Sequence, residues 1–179
     1  MIERPETIMS KDPKDNNFLS PLNFKFVLKR APNLNFFLQK VNIPGLTVPP
    51  IVQPTPFVDI MQAGVNVKFN PLVASFRVDE NLQNYMEIAT WMKVIGEEKS
   101  TGPYARLAKK PMWSGESVKS DITISILDSA RNANFTFYFH DCFPIGLSDM
   151  IFDVQPNGIE VQAATATFRY TNWDLEKVV

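Results

Sequence analysis

The sequence contains one cysteine, Cys142, and one histidine, His140, among 179 residues. A single cysteine excludes an internal disulfide, which fits a reducing compartment or indifference to redox state. A zinc site takes three or four Cys, His or carboxylate ligands, so no metal site is predicted. The two side chains would share one face of a strand, yet a thiol–imidazole pair without a third group is weak evidence for catalysis.

Other absences narrow the function further. The 18 basic and 19 acidic residues nearly balance, whereas a dedicated nucleic-acid binder carries a basic excess. No glycine-rich phosphate loop, no apolar run of about 18 residues and no apolar secretion signal is present. We therefore predict no catalytic residues, no cofactor, no membrane span and synthesis in a cytosol.

Alternating apolar residues predict strands through most of the chain. In the N-terminal half this pattern predicts strands at Asn23–Arg30, Phe36–Ile43, Val65–Phe69 and Leu72–Val78. A turn is predicted at Ala31–Asn33, between the first two strands. The C-terminal half predicts strands at 120–127, 134–140, 150–154 and 159–170, with a corner at Cys142–Asp149. In the last strand the large apolar residues change from odd-numbered positions (Ile159 and Val161) to even-numbered ones (Phe168 and Tyr170). We therefore expect a bulge near Ala163–Ala164, where the strand passes from one sheet to the other.

One amphipathic helix is predicted at about 81–95, and Asp79 or Asn81 is expected to cap it. Its apolar face comprises Leu82, Tyr85, Met86, Ala89 and Met92, widened by Ile88, Trp91 and Ile95. Asn84 is expected on the polar face. The long loop at 97–119 is predicted to hold a short helical turn near Tyr104–Lys110.

A proline-dense apolar segment at 46–64 stands apart from this pattern. Proline lacks the N–H that a central strand needs, so we expect a projecting arm. Exposed apolar patches mark partner surfaces, and the predicted contact residues are Val48, Pro49, Pro50, Ile51, Val52, Phe57, Val58, Ile60 and Met61. The alternative is that the arm folds back over its own core.

These elements predict one mainly β domain at 21–179, after a polar leader at 1–20. Short turns between strands imply antiparallel pairing. The predicted fold is a β-sandwich or partly closed barrel of two crossing sheets, with one flanking α-helix and the projecting arm.

The strand–helix junction resembles the tail tube proteins of contractile-tailed bacteriophages. The residues that carry the likeness are Phe76, Arg77, Val78, Asp79, Asn84, Tyr85 and Trp91. Phe139–Ile145 resembles the strand and corner of that family, and Ile159–Tyr170 resembles its closing strand. The likeness covers residues 22–173, and the same fold occurs in baseplate tube initiators and type VI secretion tube proteins.

The resemblance implies a structural subunit of the inner tube of a contractile phage tail. Hexameric rings would stack into a tube inside a sheath and above a baseplate, in a virion assembled in the host cytoplasm. The lumen would conduct viral DNA without binding it specifically. The alternatives are a tube-initiator ring of the same fold, or a monomeric binding module that uses the arm or the loop at Lys109-Lys110.

Overall fold

The computed structural model describes residues 18–96, 102–111, 117–153 and 161–178. Within them the chain is mainly β and antiparallel, which confirms the predicted fold class. The elements are β1 (Phe24–Leu28), α1 (Pro32–Phe37), β2 (Leu38–Val41), β3 (Leu46–Thr47), β4 (Ile51–Gln53), β5 (Ile60–Gln62), β6 (Lys68–Phe69), β7 (Leu72–Arg77), α2 (Gln83–Gly96), α3 (Pro103–Ala108), β8 (Ser120–Leu127), β9 (Ala133–Leu147), β10 (Ala163–Arg169) and β11 (Asn172–Lys177).

Two sheets share the long strand β9. The first sheet contains β1, β8, the first half of β9 and β11, paired in that order. The second sheet contains the second half of β9, then β10, β7 and β2. The arm strands lie outside both sheets, because β3 pairs with β6 and β4 pairs with β5.

The passage between the sheets occurs in β9 and not in the closing strand. Asp141 has φ 59°, a left-handed conformation that interrupts the alternation of an extended strand. The prediction of a corner at Cys142–Asp149 is wrong, because strand β9 continues to Leu147. The bulge expected near Ala163–Ala164 is also misplaced: β10 shifts register against β9 between Thr167 and Phe168.

Strand alternation was predicted correctly where one face of the strand is buried. β8 buries Ile122, Ile124 and Ile126, and β7 buries Leu72, Ala74 and Phe76. These side chains meet those of β1, β9 and β10 in one continuous core. A side-chain period of two is a strong signal when burial selects one face.

Two predicted strands of the N-terminal half are shorter than expected. Residues 32–37 form α1, with Pro32 in its first turn, in place of the predicted turn and the start of the second strand. The Asn35 side chain on α1 bonds both the N–H and the C=O of Leu28, at 2.9 and 3.0 Å. The strand predicted at Val65–Phe69 retains only Lys68 and Phe69.

The C-terminal region differs at two further places. Residues 150–153 carry no strand, and the Ile151 carbonyl accepts a hydrogen bond from the Gln162 side chain at 2.7 Å. The rest of that prediction, and the turn at 156–158, lie outside the described residues. Strand β11 was missed, although Trp173 and Leu175 alternate with Asp174 and Glu176.

Candidate self-association surfaces

The arm predicted at 46–64 extends to Phe69 and is a hairpin built from two short ladders. Leu46 pairs with Phe69 near its base, and Val52 pairs with Met61 further out. At the tip, the Thr55 hydroxyl bonds the backbone of Val58. Backbone pairing within the segment therefore gives it a defined shape.

Apolar side chains on the arm face solvent. Phe57 is 98% exposed and Met61 is 63% exposed. The other predicted contact residues, Val48, Pro50, Ile51, Val52, Val58 and Ile60, are exposed too, and Pro49 is half-buried. The alternative of an arm folded over its own core is wrong, because among the arm residues only Phe69, at its base, packs against the core. Contact with another subunit stays a prediction.

The base of the arm is held against the second sheet. Arg169 donates to the Phe69 carbonyl at 2.9 Å, and the Tyr170 hydroxyl donates to the Asn70 carbonyl at 2.8 Å. Gly64 crosses so close to Pro49 that a Cβ at this glycine would overlap the Pro49 carbonyl oxygen. The arm therefore leaves the body in a direction that these contacts determine.

Unpaired strand edges form the second candidate surface. Among the described residues, β1 and β11 are the outer strands of the first sheet, and β2 is an outer strand of the second. An outer strand presents unpaired N–H and C=O groups that can bind a further strand. A groove of about 660 Å³ runs beside β1, lined by residues that include Leu22, Phe24, Phe36 and Leu38.

Helix α2 buries much of the face predicted for it. Ile88 and Trp91 belong to the core, and Tyr85, Met92 and Ile95 pack against it. The prediction is wrong at Leu82 and Met86, which lie outside this face, and at Asn84, which lies within it. The buried residues of α2 are Asn84, Ile88 and Trp91. Leu82 precedes the helix with φ 58°, and Met86 is 50% exposed, so neither is a core residue. The helix starts at Gln83, and the buried Asp79 Oδ1 has no hydrogen-bond partner among the described residues, so Asp79 does not cap it through that atom.

The expected packing holds at Tyr85 and Trp91. Tyr85 packs against the core, and its hydroxyl lies 3.4 Å from the Ser148 carbonyl. Trp91 is buried, and its indole N–H donates to the Val118 carbonyl at 2.8 Å. Two residues of the junction motif thus join the helix to the β-structure around it.

A groove of about 770 Å³ lies along α2 where α1 and α3 approach it. Arg30 stacks over the Trp91 ring at 4.9 Å, and Asn33 donates to Glu87 at 2.8 Å. Burial raises the pKa of Glu87 above its ordinary value. Glu87 is the only carboxylic acid among the described residues that line this groove, so no paired acid and base is formed there.

His140 and Cys142 do not face each other, contrary to the predicted shared face. The left-handed Asp141 between them breaks the alternation. His140 lies near the surface with Nε2 3.0 Å from Asp174, whereas Cys142 is fully buried and its thiol donates to the Phe139 carbonyl. Burial raises the pKa of Cys142 to about 12, which keeps the thiol protonated and poorly nucleophilic.

The remaining candidates carry no assembled site. The expected helical turn exists as α3, and Lys109 follows it on the surface. The triplet Asn134-Phe135-Thr136, which matches the N-glycosylation pattern, lies on β9, where Thr136 is buried and bonds Ser125. The described residues contain no cluster of three potential metal ligands, and none of their helices could cross a membrane.

Comparison with solved structures shows the fold. One chain in the structure of a sheath–tube complex of an extracellular contractile injection system (PVC), in the extended state, superposes on this chain with a TM-score of 0.62 at 13% sequence identity. The match covers 91% of this chain and 94% of that chain. A chain of the tube-terminating cap of the anti-feeding prophage superposes with a TM-score of 0.57 at 13% sequence identity. This match covers 96% of this chain and 99% of that chain.

Sequence comparison shows the family. The tail tube terminator protein of Enterobacteria phage T4 is 26% identical over 144 residues, which are 78% of this chain and 76% of that protein. The family model described as phage tail tube protein matches residues 7–176. Because this match spans nearly the whole sequence and confirms the resemblance of the strand–helix junction, the chain belongs to the phage tail tube protein family.

Proposed function

We propose that this chain is a ring-forming structural subunit of the tube of a contractile tail. The observation that carries the proposal is the arm: a shaped hairpin with exposed apolar side chains that its own core does not cover. A second copy in an adjacent ring is the occupant to which we assign this surface. Burial of apolar area would then contribute about 25 cal/mol per Å² to stacking, against the entropy that association of two rings costs.

Unpaired edges support closure within one ring. The first sheet ends in different strands on its two sides, β1 and β11, and a contact that joined these two different edges would be head-to-tail. Such contacts form a closed ring when the rotation between copies completes a circle. Six copies, as the family resemblance implies, would leave both ring faces free to stack.

The other partners follow from a place in the tail. Sheath and baseplate proteins would contact the outside and the end of the tube, and viral DNA would pass through the lumen. A net charge of −1 is compatible with passage of DNA, because a strongly basic wall would hold phosphates. No base-specific contact is needed for this role.

A second candidate is the ring that terminates the tube. The similarity to the phage T4 tail tube terminator favours this position over the repeating body of the tube. The tube-initiator ring at the baseplate remains the alternative implied by the resemblance. All three positions use a ring with at least one stacking face, and they differ in how many rings assemble.

Electron microscopy of the purified protein over a range of concentrations tests the proposal. We expect closed rings; a body subunit should grow into tubes of indefinite length, whereas a terminator should stop at single or paired rings. Analytical ultracentrifugation of the same samples is the companion measurement. A monomer at every concentration, also with purified tail tubes present, would contradict the proposed function.

A further inference from the structure

Two prolines interrupt the backbone ladder between the arm and the second sheet. On the side of the sheet, the ladder ends where the Asn42 N–H donates to a β7 carbonyl at 3.1 Å. On the side of the arm, it begins where the Asn70 N–H donates to the Gly45 carbonyl at 3.2 Å. Pro44 and Pro71 lie between these two bonds, and a proline has no N–H to continue the ladder. The Asn42 side chain reaches the Pro71 carbonyl only at 3.4 Å, so the gap is a place where the backbone can hinge.

A side chain from the end of β10 bonds the arm just beyond this gap. The Tyr170 hydroxyl donates to the Asn70 carbonyl at 2.8 Å in a partly buried contact. Arg169 donates to the Phe69 carbonyl at 2.9 Å, but that bond is exposed and water competes for it. Burial raises the pKa of Tyr170 above its usual value, which keeps the hydroxyl protonated and able to donate. The Tyr170 hydroxyl is therefore the better-protected link between the arm and the body.

The Tyr170 ring is held by contacts with both sheets and with the arm. The residue is 8% exposed and directly follows β10, a strand of the second sheet. Its ring centroid lies 5.1 Å from that of Phe139, a fully buried residue in the first-sheet half of β9. On the other side it lies 5.8 Å from the ring of Phe69, at the base of the arm. Both contacts are edge-to-face, a favourable aromatic geometry, so the position of the hydroxyl is fixed relative to both sheets.

The length of the arm amplifies any movement at its base. Gly45 lies at the base, and the exposed Phe57 lies near the tip. At a rise of about 3.3 Å per residue the tip is up to about 40 Å from the base, so a small rotation moves Phe57 by several ångströms. A segment that is already held in its bound orientation loses less entropy on binding than one that swings. The strength of stacking should therefore depend on how firmly the base is held.

We propose that Tyr170 is a positioning residue for ring stacking: its hydroxyl holds the arm in the orientation in which Phe57 and Met61 meet the neighbouring ring. The inference rests on the proposed function, in which the arm joins adjacent rings, and it names the side chain that prepares the arm for this contact. A hydrogen bond of this kind corresponds to about a 2- to 10-fold change in an equilibrium constant, and its loss should weaken stacking by that factor at each arm.

A pair of conservative variants separates positioning from a general loss of packing. Tyr170→Phe removes the hydroxyl and keeps the ring between its two aromatic neighbours. The matched control is Tyr85→Phe, which also removes a hydroxyl that reaches a backbone carbonyl, that of Ser148. Ser148 pairs with the first half of β10, whereas the base of the arm lies beside the end of that strand. Circular dichroism checks that both variants are folded.

The orientation of the arm can be measured directly by pulsed electron paramagnetic resonance. Spin labels are placed at Asp59→Cys on the arm and Lys93→Cys on α2, both exposed positions, while the native Cys142 is buried and protonated. The distance between the labels is measured in dilute, unassembled protein. We expect a narrow distribution of distances with Tyr170 intact, also in the Tyr85→Phe background, and a broader one in the Tyr170→Phe background.

Sedimentation velocity of the unlabelled proteins gives the concentration at which rings stack. We expect this concentration to rise for Tyr170→Phe and to stay at the wild-type value for Tyr85→Phe. A Tyr170→Phe variant that keeps the narrow distribution, or that stacks as well as the wild type, would overturn the positioning role and leave the proposed function standing. Wild-type protein that does not stack at any concentration would overturn both proposals.

Discussion

Asn84 shows how a polar residue can be the centre of a helix–sheet junction. It is fully buried in the first turn of α2, where Nδ2 donates to the Arg77 carbonyl at 2.7 Å and Oδ1 accepts from the Asp79 N–H at 3.4 Å. The periodicity of the helix assigned Asn84 to the polar face. The polarity of the side chain alone gives the wrong prediction here, because a polar group can be buried when its hydrogen bonds are satisfied.

Replacing Asn84 by Ala should lower the free energy of unfolding by about 1–3 kcal/mol, because the Arg77 carbonyl loses its buried donor. The measurement is urea denaturation followed by circular dichroism. Asn81→Ala is the matched control, since Asn81 is exposed, and it should stay within about 0.5 kcal/mol of the wild type. Equal effects of the two substitutions would contradict the structural role of Asn84.

At the scale of elements, β9 determines how the two sheets are joined. Its first half pairs with β8 and β11, and its second half pairs with β10. Asp141 lies at the change-over with φ 59°, and its side chain accepts from Thr171 and lies 3.7 Å from Lys119. The left-handed residue turns the strand, and the polar contacts hold the turn in place.

Asp141→Val and Asp141→Gly form a matched pair that separates backbone strain from side-chain contacts. Both substitutions remove the contacts with Thr171 and Lys119, but only valine resists a positive φ. We expect Val to cost about 1–3 kcal/mol more than Gly in the free energy of unfolding, measured by chemical denaturation. A valine variant as stable as the glycine variant would show that the bend does not depend on this conformation.

At the scale of the whole molecule, the arm and the body behave as separate parts. The arm strands pair only with each other, whereas the core lies between the two sheets and α2. Substitutions on the arm should therefore affect assembly more than folding. This separation allows the stacking surface to be tested without unfolding the chain.

The double variant Phe57→Ser and Met61→Ser should keep the wild-type melting temperature within a few degrees, because both side chains are already exposed. Ring stacking should be lost, since the apolar area that a neighbouring ring would bury is reduced. Sedimentation velocity measures the stacked fraction. Ile151→Ser with Phe152→Ser removes similarly exposed apolar groups outside the arm and should leave stacking unchanged; loss of stacking in both variants would contradict the assignment.

The sequence by itself determined the strands whose alternate side chains enter the core, the existence of the main helix and the proline-dense arm. β7 and β8 could be predicted from the sequence because burial on one face imposes a period of two on the apolar residues of a strand. The exposed arm could be predicted because its prolines exclude a strand in the centre of a sheet. Its contact residues were named from sequence, and their role in contacts between subunits stays a prediction.

Only the tertiary structure decided which strand joins the sheets, that Asn84 enters the buried face of α2, and which strand edges remain unpaired. A positive φ at Asp141 has no signature in hydrophobic periodicity, and the burial of Asn84 depends on a carbonyl from β7. The opposed edges β1 and β11 are separated by most of the chain, so pairing order alone makes them the two outer strands of one sheet. Local patterns record burial, whereas the order of strands in a sheet depends on contacts between residues far apart in the sequence.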